Sequence, residues 1–561
     1  MKQFIAFLGV FITTLSFAQT KEAAVVKTMN ERYELAAAEF KKLIAANPAD
    51  GDLYFYAGDN YLYWGIIDSS EMMFRQGIEK SPANPLNYVG LGRIGWIKGN
   101  EALNTAQYAK AIEIMSTKSN KVDKKIQQIG YLKMAETYVQ AEKKNFEKAL
   151  EYINKAITFN EADAEAYVQL GDYYLTSEME KNGKSGMLNL SLAQTQYAKA
   201  SQLNASYPRA LLAQGKVLVP ARNWDAALEY FNKAIAADPN YAPAYREKAE
   251  LLYKAGRNNL AVESYAKYLE LNNNCRVQQR YASFVFETKD YKKAVTELEK
   301  ATPCNAENPF MYRLLGYSYF ETGDFAKGLQ NINKFFDMAQ AKNYPKLIGS
   351  DYAYKGKLLA KNGQDSLGVL TILKAIELDS SYTEGYSDAA GIYFKAKKYS
   401  DAANLYDKKI KALGSAATPL DYYYLGQALY FSKEYQKSDA AFAVAVSKYP
   451  DSNFWRGRCN FKLDNQEAPT GLANEFFHNF VKYGFTDTKT TETNKKFLVE
   501  SLSYLGFYYA TQKNFDCSKS AWAKVLELDA TNEKAKIALT DAEISAAVGT
   551  CDIVAGPAPK E

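Results

Sequence analysis

Apolar positions along the chain recur in short runs with helical spacing. In the stretch WDAALEYFNKAIAADPNYAPAY, residues 224–245, Ala227, Phe231 and Ala234 follow one another at intervals of four and three. These intervals place the three side chains on one face of an α-helix. Pro239 cannot continue a helix, so it ends this one, and Tyr245 begins the next run. Turns such as KAGRN, ETGDF and SKEYQ separate paired runs, so the pattern predicts helical hairpins.

The hairpins repeat with a period of about 34 residues. A shift by one period superimposes residues of similar size: Leu211 on Tyr245, Gly215 on Ala249, Ala227 on Ala261, and Phe231 on Tyr265. Large residues at unit positions 4, 7, 11 and 24 are expected to interlock. Small residues at positions 8, 20 and 27 are expected where two helices approach closely. Because one hairpin cannot bury both of its apolar faces, the units must stack.

This pattern resembles the tetratricopeptide repeat, whose W-L-G-Y-A-F-A-P series is matched with Tyr usually replacing Trp. The resemblance implies an all-α, right-handed superhelical solenoid. We predict about 14 hairpins, several of them degenerate or carrying insertions. The predicted organisation is a signal peptide at 1–18, a solenoid at 19–532, a capping helix at 533–549 and a flexible tail at 550–561. The repeats leave no room for an appended enzymatic domain.

The first residues have the features of a secretory signal peptide. Lys2 precedes the apolar run FIAFLGVFI, and Ser16 and Ala18 occupy the small-residue positions before a cleavage site. The mature chain is therefore expected to begin at Gln19. A short membrane anchor is the alternative interpretation. No later segment reaches the ~18 apolar residues that a membrane-spanning helix needs. We expect a protein exported to the periplasm, with secretion or outer-membrane association as alternatives.

Composition gives little support for catalysis or nucleic-acid binding. Lys plus Arg total 69 against 64 for Asp plus Glu, and no dense basic block appears. The single histidine, His478, cannot build a metal site or a Ser-His-Asp triad by itself. No Gly-rich phosphate loop is present. We therefore predict no enzyme activity, no cofactor and no metal; a hydrolase within the insertions at 176–191 or 461–475 is the weakest alternative.

The five cysteines allow two disulfides in an exported chain. Cys275 and Cys304 open and close one predicted hairpin, and the two ends of an antiparallel hairpin are neighbours. Cys517 lies early in the last second helix, and Cys551 follows the predicted capping helix that runs back beside it. We predict the pairs Cys275–Cys304 and Cys517–Cys551, with Cys459 left as a thiol. Five unpaired cysteines are the alternative.

The family resemblance also implies a binding surface. In tetratricopeptide repeats the first helices line a concave groove, and unit positions 2, 5, 9, 12 and 13 face into it. Carried onto this chain, the groove residues are Phe55, Asp59, Tyr63, Arg246, Glu250, Tyr253, Arg313, Tyr317, Phe320, Lys357, Lys361, Phe394, Tyr423, Gln427, Tyr430, Phe431 and Phe507. Tyr and Arg often anchor interfaces, although these side chains could instead fill the spaces between hairpins.

The predicted function is that of a protein-binding scaffold in the bacterial cell envelope. Its expected partners are proteins or peptides of the envelope. The rival prediction is a glycan- or peptidoglycan-binding protein, because aromatic concave surfaces can stack on sugar rings.

Overall fold

The computed structural model describes residues 20–182, 187–465, 467, 469–486 and 492–555, and within these ranges it is helical without strands. The predicted signal peptide and residues 556–561 lie outside the described residues. Two compact units divide the chain, Met1–Asn305 (unit 1) and Ala306–Glu561 (unit 2). Both are built of helical hairpins, as the sequence predicts.

The described residues of unit 1 form eight hairpins, each made of a first and a second helix. The helices are α1 (Lys21–Met29), α2 (Tyr33–Ala46), α3 (Gly51–Trp64), α4 (Ile67–Lys80), α5 (Pro85–Ile97), α6 (Glu101–Ser116), α7 (Lys124–Gln140), α8 (Phe146–Phe159), α9 (Ala164–Asn182), α10 (Met187–Leu203), α11 (Pro208–Leu218), α12 (Trp224–Ala237), α13 (Ala242–Lys254), α14 (Asn258–Leu271), α15 (Cys275–Glu287) and α16 (Tyr291–Ala301). Short 3-10 turns follow α6 and α16, at Lys118–Asn120 and Thr302–Asn305.

Unit 2 continues the same alternation. Its helices are α17 (Pro309–Thr322), α18 (Phe325–Lys342), α19 (Gly349–Lys361), α20 (Asp365–Leu378), α21 (Glu384–Lys395), α22 (Tyr399–Leu413), α23 (Pro419–Phe431), α24 (Tyr435–Ala445), α25 (Ser452–Leu463), α26 (Asn474–Thr486), α27 (Glu492–Thr511), α28 (Phe515–Leu528), α29 (Glu533–Thr540) and α30 (Ala542–Ala546). A 3-10 turn at Gly414–Ala416 follows α22.

In many hairpins, the two helices approach most closely where a glycine of the first helix packs against a bulky residue of the second. A Cβ atom placed on Gly215 would lie 2.5 Å from the ring of Phe231, and one on Gly92 would lie 2.4 Å from the ring of Tyr108. Both pairs have the sequence separation of unit positions 8 and 24. Phe231 is fully buried. The small-against-large packing predicted from the period is therefore confirmed at these hairpins.

The C-terminal end differs from the prediction in two ways. The predicted single capping helix is two short helices, because Asp541 ends α29 and its side chain accepts hydrogen bonds from backbone N–H groups at the start of α30. Part of the predicted flexible tail is packed: Ile553 is 1% exposed and Val554 lies against the same hydrophobic cluster. Apolar burial and the covalent link at Cys551 hold residues 551–555 in place.

Both predicted cysteine pairs are joined in the structure. Cys275, the first residue of α15, is bonded to Cys304, and Cys517 of α28 is bonded to Cys551. Cys459 is a buried free cysteine in α25. Burial raises the pKa of its thiol to about 12, so it stays protonated at neutral pH.

Candidate partner-binding surfaces

A buried charge network occupies the interior of unit 1. Arg93 of α5 is 3% exposed and forms ion pairs with Asp59 and Glu136. Lys133 Nζ lies 2.8 Å from Asp59 Oδ2 and 3.2 Å from Glu136 Oε2. Burial opposes ionisation of Glu136, but Lys133 and Arg93 overcome it and hold the pKa of Glu136 to about 2. These charges neutralise one another inside the fold and are not offered to a partner.

The turn between α1 and α2 lies against hairpins that are distant from it in sequence. Glu31 pairs with Arg246 of α13 and accepts a 2.7 Å hydrogen bond from the hydroxyl of Tyr268 in α14. Asn30 Nδ2 donates to Asp238 Oδ2 at 3.1 Å. The first hairpin thus lies across the inner side of the later hairpins of unit 1. A cavity of about 350 Å³ is left beside it, and its walls include Tyr33 and Arg209.

These contacts correct the predicted groove in unit 1. Phe55 is fully buried against Phe74, with ring centroids 6.0 Å apart, so it presents no surface to a partner. Asp59 is 4% exposed and held by the charge network described above. The hydroxyl of Tyr63 donates to Glu136 and accepts a 2.6 Å hydrogen bond from Lys133 Nζ.

The remaining predicted positions of unit 1 contact neighbouring hairpins. Arg246 is engaged by Glu31. Tyr253 packs edge-on against Phe284, with centroids 5.3 Å apart, and the Arg280 guanidinium lies 5.6 Å from the Tyr253 ring centre. The predicted groove residues of unit 1 therefore contact other residues of the chain, and pairings such as Glu31 with Arg246 are too distant in sequence for the repeat period to reveal.

At the start of unit 2, the predicted groove residues of α17 contact α19. Arg313 Nε lies 2.8 Å from Asp351 Oδ1, and the Tyr317 hydroxyl donates to the same carboxylate at 2.7 Å. The ring of Tyr317 stacks on Tyr354 with centroids 4.0 Å apart and is only 7% exposed. Its predicted role in partner contact is corrected, because α19 covers it. Phe320 packs edge-on against the same Tyr354 ring.

Two further predicted positions in unit 2 also join hairpins. Lys357 of α19 forms a 2.7 Å ion pair with Asp388 of α21. The hydroxyl of Tyr423 donates to Asp451 at 2.9 Å, and Trp455 Nε1 donates to that hydroxyl at 3.2 Å. Both contacts connect one hairpin to the next.

Later in unit 2, aromatic side chains gather around the ends of α21 and α23. We call this set the aromatic edge: Phe394, Tyr399, Tyr430, Phe431 and Trp455. The Tyr399 and Phe431 rings stack with centroids 5.1 Å apart, and Phe394 and Trp455 lie edge-on to Phe431 at 5.7 and 5.9 Å. Phe431 remains 40% exposed. The edge is a preformed aromatic cluster with one ring open to solvent.

The sequence predicts part of this edge. Phe394, Tyr430 and Phe431 are among the predicted groove residues, whereas Tyr399 and Trp455 are not. Tyr399 is the first residue of a second helix, a position that the groove rule leaves out. The available signal is an aromatic residue directly after a turn, which recurs at Phe325 and Tyr435. Phe507 is 42% exposed on α27.

The described residues show neither a metal-binding group nor a membrane-spanning helix. Among them, no cluster of three or more His, Cys, Asp or Glu side chains could hold a metal ion. No helix in the same ranges is long and apolar enough to cross a bilayer. His478 is buried beside the hydroxyl of Tyr509, and burial lowers its pKa to about 4. It is therefore neutral at physiological pH.

The stacked hairpins define an all-α helical repeat protein. The family model for the tetratricopeptide repeat matches residues 188–242 and 212–274. These residues of the chain therefore match the tetratricopeptide repeat. Such repeats serve protein–protein interaction, and proteins built from them are generally non-catalytic.

Three curated proteins illustrate the similarity. Tetratricopeptide repeat protein 13 of Homo sapiens is 23% identical over 132 residues, which is 24% of this chain and 15% of that protein. DnaJ protein P58IPK homolog B of Oryza sativa is 28% identical over 27% of this chain and 26% of its own length. TPR repeat-containing protein MJ1428 of Methanocaldococcus jannaschii is 22% identical over 77% of this chain and 70% of its own. The chain thus spans about a quarter or less of the first two relatives.

Solved structures show the same kind of similarity. The C-terminal part of a TPR repeat-containing protein from Cytophaga hutchinsonii is 26% identical, with a TM-score of 0.42, covering 47% of this chain and 99% of that one. The hetero-tetramer Cut9-Hcn1 is matched with 13% identity and a TM-score of 0.33, over 85% of this chain and 95% of the other.

Proposed function

We propose that this chain is a protein-binding scaffold of a bacterial cell envelope, and that its partner polypeptide docks on the aromatic edge. The supporting observation is the exposure of Phe431, 40%, within a cluster that already fixes its ring. A rigid aromatic ring provides contact area at a small conformational cost, which is why such rings dominate interface energetics. The predicted groove residues of unit 1, by contrast, contact other side chains of the same unit.

A pull-down with the mature chain, residues 19–561, tests the proposal. The bait is compared with a Tyr430→Ala, Phe431→Ala double variant, using extract of the envelope of the producing cells. A matched control, Leu370→Ala, removes a 62% exposed side chain from α20, a second helix. We expect the double variant to lose a defined protein that the wild type and the control retain. Truncating two central aromatic residues at an interface costs about 2 kcal/mol or more, at least 30-fold in affinity.

Retention of every bound protein by the double variant would contradict the assignment of the aromatic edge. Binding of purified cell-wall saccharide, without any protein partner, would favour the glycan-binding rival. The proposed location has its own test. N-terminal sequencing of the protein recovered from cells should give Gln19 as the first residue, in the envelope fraction. An intact Met1 in the cytoplasmic fraction would overturn the export proposal.

A further inference from the structure

We infer that the partner segment is acidic, an inference that rests on the proposed function. Exposed lysines follow the ends of the first helices of unit 2, on the side where the aromatic edge lies. We call them the lysine row: Lys361, Lys395, Lys397, Lys398, Lys433, Lys462 and Lys513. Each is in the last turn of a first helix or in the turn that follows it.

The lysine row has no acidic partners among the described residues of the chain. Some cations at the equivalent turns of unit 1 are neutralised: Lys98 pairs with Asp68 and Lys143 pairs with Glu101. Among the described residues of unit 2, the one polar side-chain contact of a lysine in the row joins Lys398 Nζ to the hydroxyl of Ser366, at 3.5 Å. A run of uncompensated positive charge attracts an anionic partner and discriminates against a cationic one.

Aromatic rings hold several of these ammonium groups in position. Lys361 Nζ lies 5.1 Å from the ring centre of Phe325, and Lys398 Nζ lies 5.4 Å from that of Tyr393. Cation–π contacts of this length restrict a flexible side chain before any ligand arrives. Binding an anion then costs less side-chain entropy than it would at freely moving lysines.

The lysine row and the aromatic edge meet around Phe431. Lys397 and Lys398 directly precede Tyr399, whose ring stacks on Phe431, and Lys433 lies in the turn just after Phe431. A ligand at this place meets an apolar ring flanked by cations. The fitting partner is a polypeptide segment with several Asp or Glu residues around one aromatic or aliphatic side chain. A lipid surface fits less well, because the other rings face one another and leave little apolar surface for insertion.

The nearby acidic side chains do not cancel this charge. Glu434 is engaged by Lys437 at 2.6 Å. Asp401, in the first turn of α22, is a single carboxylate next to Lys395, Lys397 and Lys398. The net charge of the side chains at the two turns around the aromatic edge is therefore positive.

A synthetic probe tests the inference directly. The probe is a fluorescein-labelled peptide of glutamates around one central phenylalanine, and its binding to the mature chain is followed by anisotropy. The test variant carries Lys397→Gln, Lys398→Gln and Lys433→Gln together. We expect it to bind the probe about tenfold more weakly than wild type, since exposed charge pairs each contribute little and three are removed. Raising the salt concentration should weaken wild-type binding.

The control removes the same charge from the same unit, away from the lysine row. Lys374→Gln, Lys411→Gln and Lys536→Gln replace exposed lysines that already pair with acids on their own or adjoining helical turns. We expect the control to bind the probe within about twofold of wild type. Circular dichroism verifies that both triple variants are folded.

Three results would overturn the inference: no saturable binding of the probe to wild type, equal weakening in both triple variants, or equal binding of a peptide with glutamine in place of glutamate. Competition of the probe by phosphatidylglycerol vesicles, with no effect of the central phenylalanine, would assign the surface to lipid instead. The pull-down separates this inference from the proposed function. If the aromatic variant loses the partner but the lysine variant keeps it, the inference of an acidic partner is refuted and the proposed binding surface stands. If both variants keep the partner, the proposed binding surface is refuted as well.

Discussion

Replacing Gly356 by Ala should destabilise unit 2, whereas replacing Gly391 by Ala should stabilise it. Both glycines are in first helices, α19 and α21, and they stand at neighbouring repeat positions, 8 and 9. A Cβ atom on Gly356 would lie 2.7 Å from the carbonyl oxygen of Gly368 and 2.6 Å from Cγ1 of Ile372. A Cβ atom on Gly391 would have no neighbour within 4 Å.

The opposite signs follow from two competing effects. Alanine in a helix is favoured over glycine by about 1 kcal/mol, and this gain applies at both sites. At Gly356 the added carbon also meets backbone atoms of α20, so the two helices must separate; overpacking of this kind costs about 1–3 kcal/mol. The net expectation is a loss of up to about 2 kcal/mol at Gly356 and a gain of about 0.5–1 kcal/mol at Gly391.

Urea unfolding of the mature chain, followed by far-ultraviolet circular dichroism, measures both effects. We expect the midpoint of the affected transition to fall for Gly356→Ala and to rise for Gly391→Ala, with unchanged slopes. Equal stability of the two variants would refute the claim that position 8 marks the closest helix approach.

Three further predictions concern single contacts. Replacing His478 by Gln should remove a pH dependence of the free energy of unfolding. The pKa of about 4 in the folded protein lies below the unfolded value near 6.5, so protonation of His478 favours the unfolded state. As the pH falls through this window, the wild type should lose up to about 3 kcal/mol of unfolding free energy relative to the variant. The same difference in unfolding free energy between wild type and variant at pH 7 and at pH 4, measured with urea, would contradict this prediction. Cys551→Ser should destabilise the C-terminal hairpin by about 4 kcal/mol, because the lost disulfide joins positions with a sequence separation of 34. Unchanged unfolding of that segment without reductant would contradict this prediction. Glu31→Gln should weaken the contact with Arg246 and speed amide exchange in α1 and α2 roughly fivefold, and unaltered exchange would show that the ion pair does not hold the first hairpin.

The hairpin architecture could be predicted from sequence because its determinants are local. Gly215 and Phe231 belong to the two helices of one hairpin, and the same size pair recurs in others, so the period itself carries the packing. The cysteine pairs follow from hairpin geometry in the same way.

The binding surface could be predicted only in part because it depends on distant contacts. Glu31 meets Arg246 across a sequence separation of 215, and no repeat pattern encodes that meeting. Phe55 and Tyr317 occupy positions assigned to the groove, yet neighbouring helices cover them. Ile553 packs although it lies in a segment rich in small and polar residues, because the Cys517–Cys551 bond brings it to the core.

The most direct test of the proposed scaffold function is site-specific photo-crosslinking in the producing cells. The photoreactive residue p-benzoylphenylalanine replaces Phe431 at the aromatic edge or, as the control, Leu370 on the outer side of α20, where 62% of the side chain is exposed. Irradiation at position 431 should yield a defined adduct with one acidic polypeptide, and position 370 should not. The same adducts at both positions, or an adduct at 431 made of saccharide alone, would contradict a protein-binding aromatic edge.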